Sequence, residues 1–343
     1  MARKHSDDSD LTRRQFLRRG AGGLLGAVVG GAAASQGGCR SASQSASESA
    51  VEERGPTPGR ATVALIRDQR ALDGSPEARE TILREMLDQA LVRLTGAADQ
   101  AAAWKTYGRA GEKIAIKSNV MMRPVHPELL YAIHSGLTSA GVADKDIAAW
   151  DRNSAGFGRD EFEALPQRPG YDADDVSNLV TWADGLVNVT GLKAHWLAGV
   201  GCALKNWAGA VTNINVSDRN VTYAFHADSC AETGILNAIP SIRERCRLIV
   251  IDALQPLFNG GPQVDPRYVW DYRGLIVGTD PVAVDMICAR VVQAKRDEYK
   301  GYEWPISPPA KHVQIADAKY GLGVSDPERI DLVKLGWSDG VLV

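Results

Sequence analysis

The sequence predicts an α/β fold: one large domain with a mostly parallel sheet and helices on both faces. Three observations lead there. Short apolar runs alternate with amphipathic stretches of helical period. The connections between them are short, as in βαβ units. Several apolar runs are continuous rather than alternating, which suits strands covered on both sides.

The first 39 residues stand apart from this pattern. Thr12-Arg13-Arg14-Gln15-Phe16-Leu17-Arg18 pairs two arginines with a following Phe-Leu, the mark of a twin-arginine export signal. Gly20 to Ala34 is a 15-residue Gly/Ala/Val/Leu run. That is short of the roughly 20 residues needed to span a bilayer. Ala32-Ala33-Ala34 supplies small residues for cleavage near residue 34. The expected first partner is therefore the twin-arginine translocase, and the expected location is periplasmic or otherwise outside the cytoplasm. No membrane span is expected in the mature chain. Gln36-Gly37-Gly38-Cys39 leaves open a lipid anchor on Cys39, although Gln stands where a lipobox normally has Leu. Residues 40–60 are rich in Ser, Ala, Glu, Gly and Pro without apolar period, and read as a linker.

Residues 61–343 carry the fold. Thr62–Ile66, Lys113–Lys117, Asp146–Trp150, Leu179–Trp182, Leu186–Val189, Leu248–Ile251 and Leu275–Val277 read as strands. Pro76 to Leu94 places Ile82, Leu83, Met86, Leu87, Ala90, Leu91 and Leu94 on one helical face. Pro127 opens a helix over 128–140 that Gly141 closes. Residues 229–243 and 281–292 read as further helices, and one more short strand-like run follows His312.

Charge and cysteine content exclude some functions. The whole chain has 39 basic and 42 acidic residues. Residues 1–39 hold six basic and three acidic side chains, so the remainder carries a formal net charge of −6. No basic surplus exists to hold nucleic acid. Cys202, Cys230, Cys246 and Cys288 are spaced by 28, 16 and 42 residues. That spacing does not support an iron–sulfur cluster or a zinc ribbon. Their even number permits disulfides in an exported protein. Cys202 and Cys288 sit in apolar runs where a buried thiol is the commoner outcome.

Four expected strands end in polar residues: Lys117 runs into Ser118-Asn119, Trp150 into Asp151, Ile251 into Asp252, and Gly278 into Thr279-Asp280. In open α/β sheets ligands bind outside the carboxyl ends of strands, so these positions suggest one polar crevice. Turn-forming and helix-capping explain the same residues in purely structural terms.

The densest polar cluster runs from Asn188 through Lys193, Ala194 and His195 to Lys205-Asn206. Lys193 and His195 are two apart and project to one side of an extended segment. Two readings of this cluster stay open. The lysines could bind a carboxylate or phosphate, or His195 and strand-end carboxylates could hold a divalent metal. Asp280 before Pro281 is a good N-cap, with Asp285 about one turn on; either could also be a metal ligand or a partner of the lysines. Asn259-Gly260-Gly261-Pro262 reads as a turn or as a backbone clamp over a ligand.

Ile114-Ala-Ile-Lys-Ser-Asn119, Leu192-Lys-Ala-His195, Ala203-Leu-Lys-Asn-Trp-Ala-Gly209, Asp252 with Asn259-Gly260-Gly261-Pro262, and Gly278-Thr-Asp-Pro-Val-Ala-Val-Asp285 occur in that order. Together they resemble the DUF362 family of unknown function, over roughly Thr62 to Arg290. The resemblance carries over Lys117, Asn119, Lys193, His195, Lys205, Asn206, Asp252, Asp280 and Asp285. Some relatives carry an embedded ferredoxin-like module; this chain has no matching cysteine cluster. Thr190-Gly191 also departs from the relatives' usual residues.

The functional expectation is an exported enzyme that binds a small anionic substrate, with a divalent metal as the open cofactor question. Lys193, Lys205 and His195 are the expected catalytic residues. Lys117, Asn119, Asn206 and Asn259 are expected to bind substrate, and Asp252, Asp280 and Asp285 to bind metal. The alternative is a non-catalytic ligand-binding or redox-accessory protein of the cell envelope. A weaker third reading is a structural domain whose polar motifs only hold the sheet-end loops.

Overall fold

The computed structural model describes residues 59–120, 122–151, 176–211, 215–216, 219–220 and 226–343. The export segment, Cys39 and nearly all of the linker lie outside the described residues.

The chain enters on β1 (Ala61–Arg67), followed by helices α1 (Pro76–Thr95) and α2 (Gln100–Lys105). Strand β2 (Ile114–Lys117), helix α3 (Pro127–Ser139) and strand β3 (Ile147–Trp150) come next. The short helix α4 (Asn178–Trp182) leads into the long β4 (Gly185–His195) and its hairpin partner β5 (Gly199–Val200). One-turn helix α5 (Ala203–Asn206) and the two-residue strands β6 (Asn215–Val216) and β7 (Arg219–Asn220) follow. Helices α6 (Gly234–Ala238) and α7 (Pro240–Arg243) precede β8 (Cys246–Leu257) and β9 (Gly274–Gly278). Helices α8 (Pro281–Lys300) and α9 (Lys311–Ala318) and strand β10 (Ile330–Gly336) complete it.

The main sheet has the order β10-β1-β9-β8-β4-β2-β3, with β5 paired to β4. Every neighbouring pair along that order is parallel except those of β9, which is antiparallel to both β1 and β8. The expected α/β architecture is therefore present. Alternate residues of single strands feed two different cores. Ala64 and Ile66 pack with α1, α2 and α3, whereas Val63 and Leu65 pack with α8. β8 divides the same way, with Leu248 and Val250 on one face and Ile249 and Ile251 on the other. The period of two in each strand thus meets a helical layer on both sides.

Local signals set the helix ends. Ser75 accepts from the Ala78 amide at the start of α1, and Gly96, with φ 65°, closes it. Asp280 Oδ1 accepts from the amides of Val282 and Ala283 at the start of α8. Three expectations need correction. Leu179–Trp182 is helical rather than extended, because Ser177 caps its amides and the chain makes a single turn before β4. Residues 229–243 form a 3-10 turn and two short helices rather than one helix, with Ser229 and Cys230 in left-handed conformation and Pro240 opening the last turn. Helix α8 continues eight residues past Val292, to Lys300.

Candidate functional site

The carboxyl edge of β2, β3 and β4 opens into a cleft of about 260 Å³. Strand β4 delivers Thr190, Lys193 and His195 to its wall. The chain reverses through β5, where His195 pairs with Gly199, and then winds into α5. That return carries Cys202, Lys205 and Asn206 to the same cleft, while Asn119, Asp151, His226 and Pro262 also line it. Pro262 arrives on the predicted glycine turn: the Gly261 carbonyl accepts from the Trp196 amide at 3.0 Å, and a Cβ on Gly261 would collide with the Ala194 carbonyl. The close approach at that position requires glycine.

The cleft stands on a buried polar floor. Lys117 Nζ donates to Ser118 O (2.6 Å), Asp151 Oδ1 (2.8 Å) and Asn206 Oδ1 (3.3 Å). Asn206 Nδ2 in turn lies within bonding distance of Asn188 Oδ1, Val189 O and Lys117 O. Asn188 Nδ2 reaches the Ala203 carbonyl, which fixes the entry of α5. Lys117 is fully buried and committed to these acceptors, so it supports the floor instead of meeting a ligand. Gly209 has no room for a side chain against this group: a Cβ there would lie 3.0 Å from Lys117 Nζ and strike Asp151.

Lys193 is placed differently. Its ammonium, only 6% exposed, donates to the neutral amide oxygen of Asn119 at 2.5 Å. Burial lowers its pKa to about 8, and the neighbouring Lys205 and Lys117 charges act in the same direction. His195 is also buried. Its Nδ1 accepts from the amides of Leu197 (3.1 Å) and Ala198 (3.3 Å). The ring proton therefore sits on Nε2, and the neutral imidazole offers an N–H donor. Burial first, then the charges of Lys205 and other neighbours, pushes the His195 pKa down to about 2. Lys205 Nζ lies 3.3 Å from His226 Nε2.

The structure thus brings Asn119, Lys193, His195, Lys205 and Asn206 together as expected. It does not bring together the three expected metal-binding aspartates. Asp252 accepts from the His126 amide (2.7 Å) and from His126 Nδ1 (2.8 Å), and its other oxygen accepts from Leu254 N. Burial opposes its charge, but the adjacent His126 outweighs that and holds the carboxyl below its ordinary pKa. Asp280 lies at the opposite edge of the sheet, because β9 runs antiparallel: Gly278 faces Ile249 while Asp252 faces Leu275. There it caps α8 and accepts from Val324 N at 2.9 Å. Asp285 is fully buried beneath α5 and accepts from Ala203 N (2.7 Å) and Leu204 N (3.1 Å). Asn259 accepts from Arg296 Nη1 at 2.7 Å and is outside the cleft lining.

Sequence reasoning missed Thr190, Cys202 and His226 as lining residues and did not include Asp151 or Pro262 among the site residues, although Pro262 belongs to the segment read as a turn or a clamp over a ligand. Asp151 carried a usable signal, a carboxylate at a strand end, and Pro262 another, its place in a glycine turn. His226 sits far from the polar cluster in sequence and is brought in by the chain between α5 and α6.

Residues 127–290, from the first turn of α3 into α8, match a protein-family model described as "Domain of unknown function (DUF362)". Over these residues the chain is similar to the DUF362 family. No curated protein matches the chain significantly. The DUF362 match includes β4, α5, β8 and β9, and hence Lys193, His195, Lys205 and Asn206; Lys117 and Asn119 lie just ahead of it. Among the described residues, no helix is long and apolar enough to cross a membrane.

Proposed function

We propose that the cleft at the carboxyl edge of this DUF362-like domain binds a small phosphate- or carboxylate-bearing anion, held by Lys193, Lys205 and the Nε2–H of His195. One observation carries the reading. Lys193 is a buried ammonium whose hydrogen-bond partner is a neutral amide, Asn119. A buried charge without a counter-charge in contact is costly, and an anion entering the cleft would remove that cost. It would also raise the lysine pKa back toward its ordinary value.

The state of His195 narrows the chemistry. A neutral imidazole with Nδ1 already engaged is a poor general base, but its Nε2–H suits an oxyanion. His195 therefore orients or polarises the anion, and any proton transfer falls to another group. Asn119 relays the position of Lys193, and Asn206 and Lys117 hold the floor rigid. If the bound anion is consumed, the protein is an enzyme; if it is only retained, the binding-protein alternative holds. Incubation with the bound anion, followed by product analysis, separates the two.

The binding test is calorimetry on the mature chain with inorganic phosphate and small dicarboxylates at neutral pH. Lys193→Gln is expected to weaken the anion that binds by at least about tenfold, or about 1.4 kcal/mol, while circular dichroism stays unchanged. Absence of heat and of any thermal shift across the anion panel would sink the reading. The twin-arginine segment supports a site of action outside the cytoplasm. Replacing Arg13 and Arg14 together by lysine is expected to trap the precursor in the cytoplasmic fraction, read by immunoblot.

A further inference from the structure

Behind the cleft, three potential ligands from two elements meet in the dry core. Cys202 immediately precedes α5, and Asp285 and Cys288 sit three apart on α8, where helical geometry turns them to one face. The two sulfurs and a carboxylate oxygen of Asp285 lie within 4.8 Å of one another, and all three residues are fully buried. We propose that Cys202, Asp285 and Cys288 bind one thiophilic divalent cation of the zinc class.

Geometry favours this. Metal–sulfur bonds of about 2.3 Å and metal–oxygen bonds of about 2.1 Å in a tetrahedron put neighbouring donor atoms roughly 3.4–3.8 Å apart. The observed spacing needs a contraction of at most about 1 Å to reach that range. Asp285 is already held as metal-bound carboxylates usually are, by hydrogen bonds from outside: the Ala203 and Leu204 amides reach one oxygen each. Each carboxylate oxygen keeps a second lone pair for an ion.

An independent observation points to the same place. His312, on α9, is fully buried, and neither ring nitrogen has a hydrogen-bond partner among the described residues. Its Nε2 stands 3.7 Å from Asp285 Oδ2. Buried imidazoles without partners are uncommon, because each orphaned polar atom forfeits the hydrogen bonds it would make to water. Three protein donors leave a tetrahedral cation one position short, and His312 is the nitrogen at hand to fill it. Binding is a substitution without redox change. Both thiol protons leave to solvent, and two thiolates and one carboxylate face the dication. This site is separate from the anion reading, although Cys202 also borders the cleft.

The experiment uses reduced, mature protein. Metal analysis after zinc exposure and desalting is expected to find about one equivalent per chain. Cobalt titration should give a sulfur-to-cobalt charge-transfer band that saturates at the same stoichiometry. The band should be lost in Cys202→Ser and Cys288→Ser and kept in Cys230→Ser and Cys246→Ser. Since serine at a buried position can unfold the chain, wild-type protein gives a second readout: zinc should raise the Tm and a chelator should reverse it. Absence of the cobalt–thiolate band in folded wild type overturns the proposal. So does an undiminished band in the folded Cys202→Ser/Cys288→Ser variant, or recovery of the two residues as a disulfide from protein purified without reductant.

Discussion

Lys117 and Lys193 are the same residue type, both buried at one sheet edge, yet their surroundings assign them different work. Lys117 touches a carboxylate and two further oxygens, which meets the cost of burying its charge. Lys193 touches an amide and has its pKa lowered to about 8. The free protein therefore loses the Lys193 ammonium as pH rises through about 8. Anion affinity should fall over that range in wild type but stay flat in Lys193→Gln, a contrast that calorimetry across pH 6.5–9.5 reads directly. A second titration belongs to His126. Its pKa is raised, chiefly by the Asp252 charge, with hydrogen bonding adding to it against burial. A raised folded pKa contributes stability below the ordinary histidine value of 6.5 and loses it as pH climbs through the folded value. His126→Ala should thus cost about 2 kcal/mol near pH 5.5 and clearly less near pH 8.5, measured by urea unfolding at both. Equal losses at the two pH values would show that the ring acts only by packing.

At the scale of elements, helix packing explains a residue that propensity alone would misjudge. Gly136 lies in the interior of α3, where alanine ordinarily stabilises by about 1 kcal/mol. Here the Trp104 indole of α2 occupies the space a Cβ would need. That indole is pinned: Nε1 donates to Asp88 Oδ1 of α1 at 2.6 Å, and Asp88 also pairs with Arg84. It cannot swing aside without breaking a bond between elements. Gly136→Ala should therefore destabilise by about 1–3 kcal/mol, seen as a lower urea midpoint with unchanged slope. The sequence made α1 legible because its apolar residues follow one face, and β4 legible at its apolar start. It hid the second half of β4 because Thr190, Lys193 and His195 are polar yet buried, so hydrophobicity stops where the strand does not. It also hid α4, where a β-branched pair and a tryptophan look like a strand and only Ser177 signals a helical start.

For the whole molecule, what the sequence could not disclose is direction. Each strand end bearing Asn or Asp was expected at one crevice, which is correct for β2 and β3; Asp252 instead lies inside β8 and outside the cleft lining, held by His126, and the expectation is wrong in direction for β9. Residues 258–273 return the chain beside β8 without crossing over the sheet, so β9 runs backwards between β8 and β1. Asp280 then emerges at the far edge, where it ties the start of α8 to Val324 in the segment before β10. The two sheet edges should consequently separate in their mutational behaviour. Asp280→Ala removes a cap with two amide bonds and leaves the Val324 amide without its carboxylate, which should cost about 1–3 kcal/mol of stability. Anion affinity at the cleft should stay within about twofold of wild type, since the change is on the other side of the sheet and remote effects on binding are expected to be small. Lys193→Gln should do the reverse, with affinity lost and the urea midpoint unchanged or raised because a buried charge is gone. Paired unfolding and binding measurements on both variants decide the matter. Loss of anion binding in folded Asp280→Ala would mean that the far edge communicates with the cleft through α8, whose Asp285 holds the amides of α5.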